Sequence, residues 1–184
     1  MARGSIIATA VFAHAQKHAK LTRLLEQGVR RALTRSAGEA QRTKTRAILT
    51  TFNLKGTEFS SVRPVRALFS SSVRGDTLTE RVRGPRGIPV KQFMLSQDSS
   101  GLRFSFRRGR TVRIRSGFIV DRLGRHGFTR KTSQRLPIRK RFGPGIPTMA
   151  DQPEIRQKGA EAFLVRSEKE IRNEETRAFT RAGL

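Results

Sequence analysis

The sequence has 184 residues, enough for one domain of ordinary size or for a smaller core with extended arms. Its 39 basic residues against 14 acidic ones leave a formal charge of +25, a self-repulsion that calls for a polyanion or an acidic neighbour as partner. The absence of cysteine excludes a disulfide framework, a thiolate metal site and a cysteine nucleophile. Thirty of the 39 basic residues are arginine, which keeps its charge when partly buried and binds carboxylates or phosphates through two bonds at once, so fixed interfaces are favoured over loose polycation behaviour.

Near the N-terminus, Arg3 precedes the apolar stretch Ile6 to Ala13, and Ala13-His14-Ala15 imitates a signal-peptide cleavage site. The run contains Thr9 and is short for a leader, so a secreted product is not the expectation. No segment approaches the roughly 20 apolar residues of a membrane-spanning helix, and no membrane contact is expected.

From Lys17 to Leu49 there is no proline, and Leu21, Leu24, Leu25, Val29, Ala32, Leu33, Ala37, Ala40, Ala47 and Ile48 recur at spacings of three and four. That is one face of a long helix, with Arg23, Arg30, Arg31, Arg35, Arg42, Lys44 and Arg46 on its back. The cationic back is ordinarily a solvated face, and a contact with a partner or nucleic acid is the sharper alternative. Gly28 and Gly38 are expected to weaken the helix locally. A short second helix is predicted over Leu54 to Val62, ended by Arg63-Pro64.

Beyond that point the pattern becomes β-like. Val65 to Val73, Ile88 to Leu95, Leu102 to Phe106, Thr111 to Val120 and Gly127 to Thr132 are short β-prone runs separated by turn residues. Leu102-Arg103-Phe104-Ser105-Phe106 and Val112-Arg113-Ile114-Arg115 alternate, which predicts a hairpin around Gly109 with an apolar inner face and a cationic outer one. Arg103, Arg107, Arg108, Arg110, Arg113 and Arg115 are therefore the candidate partner or DNA contacts. The Arg81 to Gly87 segment, rich in arginine and glycine, reads as a mobile loop.

Leu136-Pro137-Ile138 and Gly143-Pro144-Gly145-Ile146-Pro147 read as a rigid connector that supports neither a helix nor a central strand. Asp151 is predicted to cap a final helix, with Pro153 in its first turn and Glu154 at the capping-box position. Ile155, Ala162, Phe163, Ile171, Ala178, Phe179 and Ala182 supply its apolar stripe. Charge divides the chain as well: residues 151–184 hold seven acids and seven bases, so the whole +25 belongs to residues 1–150. The predicted fold is α+β, a long N-terminal helix and a C-terminal helix packed on a mostly antiparallel sheet. Residues 1–150 form the basic helix-plus-sheet part with its connector at 136–150, and residues 151–184 a mixed-charge helix of the same domain.

Catalysis needs a nucleophile with its base, a paired set of carboxylates or a metal cluster, and no such constellation is visible. His14 and His18 share a helix face, but Ala15 stands where a metalloprotease helix carries its glutamate. His126 is a lone histidine beside a turn, and Asp98 and Asp121 read as salt-bridge partners. No enzyme activity and no cofactor is expected.

The stretch Arg135-Leu136-Pro137-Ile138, followed by Gly143-Pro144-Gly145-Ile146-Pro147, resembles the Arg-Leu-Pro-Ile, Gly-Pro-Ser and Val-Pro block of the phage minor tail protein Z family, with Gly145 for the usual Ser and Ile146 for the usual Val. Gly87-Ile88-Pro89-Val90-Lys91-Gln92-Phe93, Ser116-Gly117-Phe118-Ile119 and Gly127-Phe128-Thr129-Arg130-Lys131 are similar to further segments of that family, in the same order. So are Arg31 to Ala37 and Asn53-Leu54-Lys55, with Thr34 where Asn is common. The resemblance implies a virion protein that completes the head-proximal end of a long phage tail and joins it to the head. It also implies partners among tail terminator, tail tube and neck connector proteins, and a homo-oligomeric ring, six-fold by resemblance. On this reading Arg135, Leu136, Pro137, Ile138, Gly143, Pro144 and Pro147 form a stiff assembly connector, and the cationic strands meet acidic neighbours or, without sequence preference, the genomic DNA. A ribosomal or other RNA-binding protein is the alternative, motivated by charge and the Arg-Gly loop. The chain lacks Tyr and Trp, and its 12 Phe read as core residues and not as a stacking motif.

Overall fold

A computed structural model describes residues 3–74, 77–130 and 132–183, with side chains from residue 16 onward. Along the chain run α1 (Arg3–Thr51), α2 (Thr57–Ser60), α3 (Val62–Arg66), β1 (Phe69–Arg74), β2 (Thr77–Val82), β3 (Gly87–Pro89), a 3-10 turn (Val90–Gln92), β4 (Met94–Asp98), β5 (Gly101–Arg107) and β6 (Arg110–Ile114). They are followed by β7 (Gly117–Val120), a second 3-10 turn (Asp121–Leu123), β8 (His126–Arg130), β9 (Ile138–Lys140), β10 (Phe142–Pro144), α4 (Ile146–Ala150) and α5 (Pro153–Ala182). The protein is α+β, as its sequence predicts. Its β structure is spread over four small sheets, β1-β2, β3-β10, β4-β5-β6 and β7-β8-β9, and β3-β10, β4-β5-β6 and β7-β8-β9 are antiparallel throughout.

The chain forms two compact units, one of Met1–Ala40, Ser71–Glu80 and Glu161–Leu184, the other of Gln41–Ser70 and Arg81–Ala160. In the first, α1 and α5 lie antiparallel: Arg31 meets Glu174, and Arg35 meets Glu170 further along α1 but earlier along α5. The seam on α1 is built of small residues four apart, Gly28, Ala32, Ser36 and Ala40, all buried. Gly28, expected to weaken the helix, allows the approach instead, since a Cβ there would lie 3.0 Å from the Cβ of Glu174. The buried hydroxyl of Ser36 donates to Ala32 O at 2.8 Å within its own helix.

The opposing face of α5 departs from its predicted apolar stripe. Ala178 and Ala182 are buried there, but so are Ser167, Glu170 and Glu174, whereas Phe179 is 45% exposed and Leu164 and Val165 more so. The two carboxylates enter the seam because arginines on both helices receive them. Glu174 accepts from Arg31 at 2.7 Å, Arg35 at 3.1 Å and Arg177 at 2.9 Å, and Glu170 pairs with Arg35 at 3.0 Å and Arg166 at 2.6 Å. The hydrogen bond from Arg31 outweighs burial and holds the Glu174 carboxyl below the usual range, and the bond to Glu170 raises Arg35.

In the second unit the last turns of α1 place Ile48 and Phe52 in a core with Val65, Phe93, Ile146 and Met149. Each of these side chains gains about 1.5–3 kcal/mol from leaving water. Phe52 also bridges to Arg107, and Asn53 N donates to Phe106 O at 2.7 Å, so the end of α1 is tied to the end of β5.

Several local expectations are corrected in this unit. The helix predicted over Leu54 to Val62 is two short pieces, α2 and α3, broken at Ser61, which is extended at φ −87° and ψ 141°. Pro64 lies in the first turn of α3 and does not end a helix, because the N–H that proline lacks has no intrahelical acceptor there. The strand predicted from Val65 accordingly begins at Phe69. Arg81 and Val82 belong to β2 and not to a loop, and Arg83 N donates to Leu68 O at 2.8 Å. The run Thr111 to Val120 divides into β6 and β7, in different sheets.

The connector carries two edge strands, which the sequence left open, and a short helix, α4, which it did not predict. Its strands β9 and β10 each have a single partner, which suits Pro144 of β10 to an edge, and Pro147 lies in the first turn of α4. Asp151 is the C-terminal residue of that turn and not the cap of α5. Gln152 takes the capping position, its carbonyl accepting from Ile155 N and Arg156 N, because Asp151 is already taken as the C-cap of α4, a helix the sequence reading did not predict.

Glu174→Gln removes a charge from the helix seam while keeping its volume, and is expected to cost about 1–3 kcal/mol in urea unfolding at pH 7. Because the carboxyl is held low in the folded protein, this stability is present above the ordinary carboxylate value of about 4.3 and is lost as pH falls below it. The difference between wild type and variant therefore shrinks in melts below pH ~4.

Candidate functional site

The β4-β5-β6 sheet brings some of the six candidate arginines together and separates others. Arg103 and Arg113 are direct cross-strand partners on one face, with Ser96 in the same row. Like charges placed opposite each other repel, and Asp98 offsets this, its Oδ2 lying 3.5 Å from Arg103 and 3.8 Å from Arg113. Ser100 donates to Asp98 from its hydroxyl and its backbone N–H, and these bonds, ahead of the arginines, keep the carboxyl ionised below its usual range.

Arg115 was expected to share this face but lies beyond the end of β6, exposed in the turn to β7. Arg107 pairs with Glu154 of α5. The backbone N–H of Arg108 donates to Thr51 O at 2.9 Å and its guanidinium to Leu49 O at 3.4 Å, so it acts on the carbonyl end of α1 as a helix-terminating cation. Arg110 is exposed at the hairpin turn, opposite Arg107. Three of the six, Arg103, Arg107 and Arg113, thus meet carboxylates of the chain itself.

The predicted alternation of β5 fails at one residue. Ser105, assigned to the outer face, is only 9% exposed, because the register of β5 on β6 shifts between Phe104 and Arg107. Its hydroxyl accepts from Asn53 Nδ2 at 2.8 Å and lies 2.7 Å from Arg107 O and 2.9 Å from Arg110 O, closing the bulge onto the end of α1.

In the connector, Arg135, Leu136 and Pro137 are exposed, Ile138 is half-buried in β9, and Gly143 and Pro144 lie in β10. A Cβ on Gly143 would meet the rings of Phe93 and Phe106 within 2.8 Å, so this half of the block is held against the core. Pro147 is half-buried and its neighbours Ile146 and Met149 are fully buried.

A second set of cations, which sequence reading did not single out, lies on β7-β8-β9. Lys140 Nζ is 3.0 Å from His126 Nε2, and Lys91 Nζ approaches Gly124 O at 3.5 Å in the turn before β8. An ammonium only donates, so Nε2 is the acceptor and the imidazole proton sits on Nδ1, which is buried without a partner among the described residues. Burial first, then the charges of Lys140 and Lys91, holds His126 below the ordinary histidine range. The signal was faint because neither lysine is a sequence neighbour of His126.

Elsewhere, a shallow depression of about 430 Å³ in the first unit is lined by Asn173, Thr176, Arg177, Thr180 and Arg181. The hydroxyls of Thr176 and Thr180 are engaged by carbonyls of their own helix at 3.1 and 2.9 Å. The side chain of His14 lies outside the described residues. Among the described residues, no three His, Asp or Glu side chains converge as metal ligands, and no helix is long and apolar enough to cross a membrane. Neither a family model, nor a curated protein, nor a solved structure matches the chain.

Since His126 is held neutral in the folded protein, its contribution to stability is complete above about pH 6.5 and declines as pH falls below that value, where the unfolded chain takes up the proton more readily. Urea melts at pH 7.5 and 5.5 are expected to show a loss for wild type that His126→Gln lacks.

Proposed function

We propose that the chain is a structural protein of a phage virion that completes the head-proximal end of a long tail and joins it to the head. The reading rests on the ordered resemblance to the minor tail protein Z family between Arg31 and Pro147. The observation that supports it best is how the most distinctive block is divided. Gly145, Ile146 and Met149 are buried in the second unit, whereas Arg135, Leu136 and Pro137 stand exposed, with Leu136 65% accessible. A large aliphatic side chain held outward beside an arginine, in a stretch anchored on its C-terminal side by β9, is the kind of group that a fixed protein interface buries.

A joining part meets preformed rings, and head-to-tail contacts that close produce a ring of its own copies; six is the number the resemblance implies. Arg115 and Arg110, exposed at the ends of β6, remain for acidic tail or neck proteins or for DNA phosphates. Arg103, Arg107 and Arg113 reach such a partner only in competition with Asp98 and Glu154.

Particles assembled without the protein are expected to accumulate as separate heads and tails in electron micrographs. Heads and tails that join and infect without it end the proposal. Replacing Arg135 with Gln and Leu136 with Ser together is expected to leave urea unfolding within about 0.5 kcal/mol of wild type, as exposed positions generally do, while lowering the yield of joined particles.

A further inference from the structure

We infer that the outward face of the β7-β8-β9 sheet is a platform for single-stranded nucleic acid. The inference does not depend on the virion reading. The inner face of this sheet is fixed by Gly127, where a Cβ would lie 2.6 Å from Val90 and 2.8 Å from Leu102, and by Thr129, which is 2% exposed. The registers place Phe118, Phe128 and Lys140 in one row across the three strands on the other face, with His126 and Arg130 on either side of Phe128 along β8; Phe128 itself is 7% exposed, so this face presents the exposed Arg130 and the half-buried Phe118 and Lys140. Phe142 follows two residues after Lys140 and is 53% exposed.

Rings and cations are interleaved on this face. The rings of Phe118 and Phe128 stack at 6.3 Å, and His126 meets Phe128 edge-on at 6.4 Å. The guanidinium of Arg130 lies 4.9 Å from the centre of the Phe118 ring, and Lys140 Nζ lies 5.6 Å from that of Phe142. The Arg130 guanidinium thus lies over a ring while the side chain as a whole is exposed, which leaves it open to a base.

Charge marks this face off from β5-β6. There, Asp98 and Glu154 partly offset the charge of three arginines. Here, the one acid between Arg103 and Arg141 is Asp121, which pairs with Arg125 at 3.3 Å, and Arg130 and Lys140 form no ion pair among the described residues. Cations without carboxylates, set among rings with an accessible edge or face, suit a partner that carries both negative charge and flat apolar groups. Single-stranded DNA or RNA carries both, with phosphates for Lys140 and Arg130 and unstacked bases for Phe142 and the Arg130 guanidinium. A duplex hides its bases, and an acidic protein segment offers charge without repeated flat groups.

The test is a fluorescence-anisotropy titration of the full chain with a mixed-sequence DNA strand of about 12 nucleotides, within the roughly 4–16 that comparable platforms cover. The same-length duplex, inorganic polyphosphate and poly-glutamate serve as competitors. The strand is expected to bind more tightly than any of the three. Phe142→Ala is expected to weaken the strand about 5- to 150-fold with an unchanged salt slope, the loss that one stacked base represents. Lys140→Gln is expected to shallow the log–log salt slope by about 0.7, the value for one phosphate of a single strand. Arg130→Gln provides a second exposed substitution should Phe142→Ala perturb folding by circular dichroism. Equal binding of duplex or polyphosphate overturns the proposal, as does an affinity indifferent to both Phe142→Ala and Arg130→Gln. Poly-glutamate competing as well as the strand overturns it in favour of an acidic protein partner.

Discussion

Fourteen carboxylates must hold 39 cations in place, and where those few acids lie decides what each part of this protein is free to do. Two of them, Glu170 and Glu174, are spent inside the α1–α5 seam, where each receives arginines from both helices. A buried carboxylate is costly alone, yet a seam of Gly28, Ala32 and Ser36 leaves room for it and the guanidinium groups can keep their outer edges in water. The pairing is thus less a source of large net stability than a device fixing one alignment of two helices that otherwise offer each other little apolar surface.

The same scarcity sorts the surface of the second unit. Asp98 sits between two facing arginines, and Glu154 meets a third, so the most arginine-rich hairpin is partly self-neutralised. Charge counted along the sequence made that hairpin the natural contact surface. Charge counted in space moves attention to β7-β8-β9, where Arg130 and Lys140 rest on rings and face no acid among the described residues.

What could be read from the residues and what could not differ in a physical way. The long helices were legible because their periodicity repeats over many turns, and Leu102-Arg103-Phe104 against Val112-Arg113-Ile114 was legible because a hairpin pairs near neighbours. Glu170 and Glu174 were not, since a search for apolar stripes passes over a carboxylate that is buried only because Arg31 and Arg35, far away in sequence, receive it. Pro64 and Pro147 misled because a proline ends a helix or begins one according to its place in the turn. The row of Phe118, Phe128 and Lys140 exists only once two strand registers are known, and neither register is written in the local pattern.

Ser105 shows how such long-range dependence constrains drift. One hydroxyl there accepts from Asn53 and reaches two carbonyls across a bulge, with a single proton to give. Alanine at that position would take the acceptor from the Asn53 amide and the hydroxyl proton from the two carbonyls, and a bulkier side chain would have to fit at a position that is 9% exposed. Over evolutionary time an exposed arginine of the hairpin's rim such as Arg110 can exchange for lysine at little cost to the fold. The serine has few neutral replacements, so lineages of this protein are expected to diversify the charged rim of the hairpin while its least conspicuous residue stays put.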